Sequence, residues 1–227
     1  AYRFAQSQPI QLGIMVLRAI EPDDRPQVFR MFGAGHHLIH QPRIAQRKTD
    51  LALARAQQLF AQGDFTAACA DYWESYHLLE YVEFEGYKVE VLLDLSEALI
   101  YAEDYDAALP LLSQARSMAG VTGVLDQAKC DLFEAHIKAA TGEPDEATKL
   151  YTRARSAFKA GSSHYFVFDC DYRLGKLLQR TDHLKASVQF EKALEQAEQS
   201  EFEPQSHIIY VDMAKSYLDI GRADAVV

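Results

Sequence analysis

The sequence predicts an all-α fold, a solenoid of antiparallel helix pairs stacked one on the next. Turn-like triplets recur at intervals of 40, 39, 39 and 40 residues, starting at Gly63, Glu103, Gly142, Thr181 and Gly221. Between them, apolar residues recur at spacings of three and four, which is the period of an α-helix. A fixed period of this length is typical of stacked units, each too small to bury its own apolar face.

The first 47 residues do not follow this period. Helix starts are predicted at Ser7, before Pro9, and at Asp24, before Pro26, because a short polar residue ahead of proline favours a helix N-terminus. We interpret residues 1–47 as an atypical helical cap on the stack. A linker from an upstream domain is the alternative.

From residue 48 to 227 the chain divides into four helix pairs and the start of a fifth. Three of the pairs are predicted at 48–62 with 65–83, at 124–141 with 144–160, and at 164–180 with 183–199. The second pair is marked by apolar stripes within 91–100 and 107–115, and a last helix is predicted near 205–220. Short connections make the helices of a pair antiparallel neighbours. No stretch alternates with period two for long enough to predict a sheet.

Small and large residues alternate at the predicted helix crossings. Three residues after each of the first four triplets comes an alanine, and four further on a large residue: Ala68 and Tyr72, Ala108 and Leu112, Ala147 and Tyr151, Ala186 and Phe190. A small side chain lets two backbones approach, and a large one fills the groove beside it. The preceding helices carry a small residue seven before the turn, namely Ala56, Ser96, Ala135 and Ala214. In the fourth unit Leu174 stands there and Gly175 follows, which predicts a shifted crossing or a shorter helix.

The alanine and aromatic spacing, together with Met213-Ala214-x-x-Tyr217, resembles the tetratricopeptide repeat (TPR) family over about residues 48 to 227. The resemblance implies a right-handed, TPR-like alpha-alpha superhelix. The period of 39 to 40 residues is longer than the family's period of about 34. Repeats of this longer kind are similar to those of bacterial signalling proteins, including peptide-sensing regulators and some diguanylate cyclases. The only tryptophan, Trp73, departs from the family pattern because it lies in a second helix.

Superhelical stacking would place the first helix of each pair on a concave wall, where its non-packing residues could meet a ligand. The predicted partner-binding residues are Asp50, Gln57, Glu90, Glu97, Tyr101, His136, Asp171 and Lys215, with Lys129 and Asp219 beside them. Acids prevail, which favours a basic or amphipathic protein or peptide partner. The alternative is that these carboxylates are merely solvated. The lysines and asparagines with which some family members grip a chaperone's carboxylate terminus are not matched, since Glu90, Glu97 and Asp171 stand there.

Composition excludes several classes of function. The chain has 33 acidic and 23 basic residues, a formal net charge of −10, which opposes nucleic-acid binding. Its longest apolar stretch, 10–20, is too short and too interrupted to span a membrane, and we predict no membrane partner. Three cysteines without close spacing favour free thiols in a reducing, cytoplasmic setting.

His36 and His40 are the strongest candidates for a metal site. They are four residues apart and could face one ion if the stretch is helical. No third ligand follows in sequence, and His37 stands where a zinc protease needs glutamate. We therefore predict no metal and no cofactor. No catalytic motif is present either, and we do not expect this chain to be an enzyme.

These observations favour a protein or peptide interaction module, the sensory or regulatory part of a larger bacterial signalling protein. The chain begins at Ala1 and stops in its fifth unit at Val227, which leads us to expect a fragment of a longer protein. One alternative is a structural domain for dimerisation or assembly. Others are a regulatory domain of a fused enzyme such as a diguanylate cyclase, or a metal-dependent enzyme around His36 and His40.

Overall fold

The computed structural model describes residues 42–79, 85–120, 123–199 and 203–224. These residues form nine α-helices and no strand, which confirms the predicted all-α class. The helices are α1 Pro42–Ala61, α2 Phe65–Leu78, α3 Glu85–Tyr101, α4 Tyr105–Ala119, α5 Val124–Ala140, α6 Pro144–Ala160, α7 His164–Leu178, α8 His183–Gln199 and α9 Glu203–Asp224. We call α1, α3, α5, α7 and α9 first helices, and the helices that follow them in each pair second helices. The predicted site at His36 and His40 lies outside the described residues.

The chain divides at Met118 into two compact units. In unit 1, α1 packs against α2 and α2 against α3. In unit 2, each helix from α5 to α9 packs against the next one along the chain. The short connections make these neighbours antiparallel, as predicted from the turn spacing.

The small and large residues at the predicted crossings form the core of both units. All four alanines of the second helices are fully buried, and the large residues four positions later are almost so; they are Ala68, Ala108, Ala147 and Ala186, followed by Tyr72, Leu112, Tyr151 and Phe190. The small residues of the first three first helices, Ala56, Ser96 and Ala135, are fully buried as well. Close helix packing therefore has the origin predicted from sequence.

The first three turns between paired helices each contain one residue with a left-handed backbone. The φ angle is +79° at Gly63, 61° at Glu103 and +86° at Gly142. After Gly63, the backbone amide of Asp64 donates to the carbonyl of Leu59 at 3.0 Å. This bond gives a partner to one of the last carbonyl groups of α1. The Asp64 carboxylate then accepts from the Ala67 amide and caps the start of α2.

Glu103 is the one residue of these three turn positions that has a Cβ in the left-handed region. We expect Glu103→Gly to raise the free energy of unfolding by up to about 1 kcal/mol, because that conformation strains residues other than glycine. The matched change Gly142→Ala, at the equivalent turn of unit 2, should lower it by about 1 kcal/mol although nothing lies within 4 Å of the added Cβ. Urea unfolding of both variants measures the effect. Equal shifts of the same sign would contradict the strain argument.

The fourth turn differs from the others, as the position of Gly175 predicted. Helix α7 is shorter than the other first helices, ending at Leu178, and residues 179–182 precede α8, whereas three residues connect the earlier pairs. The residue of α7 that lies at the crossing with α8 is accordingly one position later than in the other first helices. Gly175 rather than Leu174 faces the partner helix, since a Cβ on Gly175 would lie 2.6 Å from the ring of Phe190.

Some predicted boundaries are wrong. Helix α1 begins at Pro42 rather than near residue 48, because proline is well suited to the first position of a helix. Helix α2 ends at Leu78 rather than near 83. The fifth triplet, at Gly221, is not a turn, because α9 continues through it to Asp224. Glycine in a helix costs only about 1 kcal/mol, and the flanking residues are good helix formers.

The three cysteines are free and buried, as predicted. Burial raises the pKa of the Cys69 thiol to about 12, and it also raises the pKa of Cys170. Both thiols therefore stay protonated at neutral pH, the state of a small apolar core residue. None of the described helices is long and apolar enough to cross a membrane.

Candidate partner-binding surface

The structure places the predicted partner-binding residues in different environments. Five are exposed, namely Asp50, Gln57, Glu90, Tyr101 and Lys215, and Glu97 is half-buried. The other two are buried rather than presented to solvent. Asp171 is only 1% exposed and His136 only 8%. We therefore leave Asp171 and His136 out of the surface that a partner could contact directly.

In unit 1, Asp50 links two successive first helices. Its Oδ1 accepts hydrogen bonds from the Tyr87 hydroxyl of α3 at 2.9 Å and from Gln46 of α1 at 2.8 Å. Burial, followed by the bond to Asp50, raises the pKa of Tyr87 to about 12. The tyrosine therefore remains a hydrogen-bond donor at neutral pH. Tyr101 lies at the far end of α3, where it stacks on Phe65 with ring centroids 5.0 Å apart.

In unit 2, a tyrosine and an aspartate again link two first helices, and here lysines join them. The Tyr172 hydroxyl donates to Oδ2 of Asp212 at 2.9 Å, and Lys176 Nζ donates to the same oxygen at 3.2 Å. Lys215 Nζ approaches Oδ1 of Asp212 at 3.1 Å. Gln179 donates to the backbone carbonyl of Asp212 at 3.0 Å. Successive members are three or four residues apart on α7 and α9, which places them on one face of each helix.

The same face of α7 continues toward α5. Asp169 accepts a hydrogen bond from Arg173, one turn further along α7, at 3.2 Å. On its other side, Oδ2 of Asp169 lies 3.5 Å from Nε2 of His136 on α5. We call the six residues Asp169, Tyr172, Arg173, Lys176, Asp212 and Lys215 the polar row.

Both carboxylates of the polar row are held in their charged form. Burial opposes ionisation of Asp212, but hydrogen bonds from Lys215, Tyr172 and Lys176 outweigh it, so the pKa of Asp212 lies below its ordinary value. The pKa of Asp169 is lowered in the same way, because contacts with His136 and Arg173 outweigh burial. Burial and the bond to Asp212 raise the pKa of Tyr172 to about 12.

The acids and bases of the polar row differ in exposure. The side chain of Asp212 is 5% exposed and that of Asp169 17%, whereas those of Arg173, Lys176 and Lys215 are 34%, 42% and 60% exposed. The anionic partners are therefore largely covered, and the cationic ends reach the surface. Two ammonium groups around the single carboxylate of Asp212 leave an excess of positive charge at this point. A partner meeting the row would meet nitrogen donors.

Two buried aspartates of the first helices, Asp131 of α5 and Asp171 of α7, are each paired with an arginine of α6. Asp171 accepts from Nε of Arg155 at 2.6 Å, and Asp131 accepts from a terminal nitrogen of Arg153 at 2.7 Å. Burial raises the pKa of Asp171, while its bond to Arg155 opposes this rise. These pairs fix α6 against α5 and α7.

Only Lys215 of the polar row is among the predicted site residues. Tyr172 and Asp212 are 40 residues apart, one repeat period, so they should lie side by side on successive first helices. That spacing is a signal in the sequence that could have found them. Within the described part of the chain, no group of three or more histidines, cysteines or acids is placed to hold a metal ion.

The fold and these surfaces define an all-α helical-repeat solenoid. The chain is similar to the structure of a Rap protein complexed with competence and sporulation factor, with a TM-score of 0.70 and 20% identity, covering 78% of this chain and 50% of that one. It is also similar to aspartyl phosphate phosphatase F from Bacillus subtilis, with a TM-score of 0.70 and 14% identity, covering 95% of this chain and 57% of that one. It is similar to the apo form of RapI as well, with a TM-score of 0.62 and 13% identity, covering 95% of this chain and 59% of that one.

These similarities confirm the helical-repeat fold, and at such low identities they show the fold alone. The chain spans between 50% and 59% of the length of the three proteins. The chain matches no protein-family model and no curated protein. Membership of the tetratricopeptide family therefore stays a prediction.

Proposed function

We propose that this chain is a protein-interaction module whose first helices hold a peptide or protein partner. The observation that carries the proposal is the polar row, in which buried carboxylates hold exposed cationic ends along one face of α7 and α9. A row of preorganised donors loses little side-chain freedom when a partner binds, which favours recognition of carboxylates and carbonyl groups. We infer that the part of the partner lying over α7 and α9 is acidic.

The sequence-based expectation of a basic or amphipathic partner is kept for unit 1. There the exposed carboxylates Asp50 and Glu90 stand on α1 and α3, and they suit a segment of opposite charge. The charge of the partner is therefore proposed separately for each unit.

We further propose that binding serves regulation of a larger signalling protein. One structure with this fold is a Rap protein in complex with competence and sporulation factor, so a chain folded in this way can hold a separate factor. The present chain spans about half the length of that protein. Regulation of a fused output domain is a proposal that rests on this likeness and on the sequence resemblance.

Selection from a random peptide display library against the whole chain tests the binding proposal. We expect acidic peptides among those enriched, bound over α7 and α9, and any basic peptides to bind over α1 and α3 instead. The double substitution Lys176→Gln/Lys215→Gln should weaken the binding of a selected peptide by about tenfold, because two charge-assisted bonds lose their charge. Titration calorimetry measures the affinity of the selected peptide for each variant.

The matched control is Lys149→Gln/Lys185→Gln, which removes the same charge from the second helices α6 and α8. Lys149 and Lys185 are 70% and 73% exposed and pair only with acids three residues away on the sequence, among the ion pairs described. This control should leave the affinity unchanged. Equal weakening by both double variants would show a general charge effect and would count against the polar row.

A further inference from the structure

A buried histidine touches the polar row from the neighbouring first helix. His136 lies on α5, and its Nε2 is 3.5 Å from Oδ2 of Asp169 on α7. An ordinary N–H···O hydrogen bond is about 2.7 to 3.2 Å long, so this contact is a long one. Nε2 is buried and makes no hydrogen bond within the described part of the chain. The imidazole therefore faces a carboxylate without being firmly bonded to it.

Packing holds the imidazole of His136 in this orientation. Its ring lies against Phe133 of α5 and Tyr151 of α6, with ring centroids 6.1 Å and 5.6 Å away. In a close-packed interior a ring of this size does not turn aside without displacing its neighbours. Nε2 therefore stays directed at Asp169 in both protonation states of the ring.

The other groups around His136 keep their charge near neutral pH. From α7 it faces Asp169, whose pKa lies below its ordinary value, and behind that carboxylate Arg173, which stays protonated. From α6 it meets Tyr151, and a phenol ordinarily stays neutral up to about pH 10. One turn further along α6, Arg155 is always protonated. The α5 residues one turn to either side of His136 are apolar, namely Leu132, Phe133, Ala139 and Ala140.

Protonation of His136 would double the net charge at the polar row. The row has three cationic side chains and two carboxylates, a net charge of +1; they are Arg173, Lys176 and Lys215, and Asp169 and Asp212. Both carboxylates stay ionised near neutral pH because their pKa values are lowered. Histidine, in contrast, is the side chain whose ordinary pKa lies between about 5 and 8. The Asp169 carboxylate also offsets the cost of burying a charged ring.

We propose that His136 is a pH-sensitive switch of the polar row, which takes up a proton as the pH falls from about 8 to about 6 and so tightens the binding of an acidic partner over α7 and α9. The inference deepens the proposed function and rests on it for the nature of the partner. The added charge is buried, so salt screens it weakly. By linkage, a bound acidic partner favours the protonated ring by the same factor.

Titration of the free chain tests the switch without any partner. In NMR spectra, the imidazole signals of His136, assigned with His136→Gln, should titrate between about pH 5.5 and 8. The side-chain Nε–H signal of Arg173 should move with the same midpoint, since both groups contact Asp169. A His136 ring that keeps one protonation state over this range would overturn the proposal, whether or not any peptide binds.

Titration calorimetry with hexaglutamate as the acidic probe tests the effect on binding. The whole chain should bind it about fivefold more tightly at about pH 6 than at about pH 8, with net uptake of protons. The carboxylates of the probe stay ionised over this range. His136→Gln should remove most of the difference. Asp169→Asn should raise the affinity at about pH 8, because the row then carries the higher charge without a proton, and a folding defect would not produce such a gain.

The matched controls are His164→Gln and His183→Gln, which remove other histidines of unit 2. Nδ1 of His164 lies 3.4 Å from Gln196, and Nδ1 of His183 lies 3.8 Å from Asp219. Both variants should keep the pH dependence. A dependence that survives His136→Gln, or that either control also removes, would refute the switch. If His136 and Arg173 titrate together but hexaglutamate binds at no pH, the switch is supported and the acidic partner of the proposed function is refuted.

Discussion

Arg155→Met is expected to lower the free energy of unfolding by about 3 to 5 kcal/mol, the largest effect of any change considered for this chain. The guanidinium donates to Oδ1 of Asp171 at 2.6 Å, and the Asp171 side chain is only 1% exposed. Removing the arginine leaves a buried carboxylate without its cation. The other oxygen, Oδ2, already has no hydrogen-bond partner among the described residues, so little remains to compensate the charge.

The loss of unfolding free energy in Arg155→Met should be smaller at lower pH. Burial raises the pKa of Asp171 in the folded chain, and Arg155 opposes this rise. Without Arg155 the folded pKa rises further above the unfolded value of about 3.9. Between these two values the folded state binds the extra proton, so its stability increases as the pH falls. The destabilisation by Arg155→Met should therefore be smaller near about pH 5 than at about pH 7.

The matched control is Arg55→Met in unit 1. Arg55 also donates to a carboxylate on a neighbouring helix, at 3.1 Å to Asp71, but its side chain is 46% exposed. A solvated pair of this kind contributes less than about 1 kcal/mol. Urea unfolding followed by circular dichroism measures both variants, and hydrogen exchange of the α7 amides for Arg155→Met and of the α1 amides for Arg55→Met locates each loss. Trp73 lies in unit 1, so its fluorescence does not report on unit 2. Equal losses in the two variants would show that burial of Asp171 is not decisive.

The burial of Asp171, beside that of the packing residues, shows why the sequence predicted the fold better than the site. Packing repeats with the period, so Ala147 and Tyr151 carry the same information as Ala186 and Phe190, and both pairs are buried as predicted. The pairs between aspartates and arginines do not recur at the repeat period in this way. Whether an aspartate on a first helix is buried depends on which arginine a neighbouring helix supplies, as Arg155 of the preceding helix α6 does for Asp171.

The fifth triplet shows the limit of local turn signals. Gly63 and Gly142 form turns because the chain reverses there and a left-handed residue closes the preceding helix. Gly221 has the same spacing from the triplet before it, yet α9 runs through it. A glycine permits a turn without requiring one, since a helix tolerates it at modest cost. Whether the chain turns there is decided by packing, which a triplet does not encode.

Gly175→Ala is expected to lower the free energy of unfolding by about 1 to 3 kcal/mol, although alanine is the better helix former by about 1 kcal/mol. The added Cβ would lie 2.6 Å and 2.7 Å from two carbons of the Phe190 ring, well inside van der Waals contact. Phe190 is fully buried, packed in one cluster with Ala186, Ala193 and Ile209. The ring cannot move away without opening that cluster, so the helices α7 and α8 must separate instead.

The matched control for Gly175 is Gly221→Ala, on α9. Nothing lies within 4 Å of the Cβ that this change adds, so the helix propensity of alanine should act alone and raise stability by up to about 1 kcal/mol. The two substitutions are chemically identical, and opposite signs in urea unfolding would isolate the contact with Phe190. The double variant Gly175→Ala/Phe190→Leu should then lose less than the sum of its single changes, because the smaller side chain makes room for the new methyl group. Strict additivity would place the cost of Gly175→Ala elsewhere than in the crossing of α7 with α8.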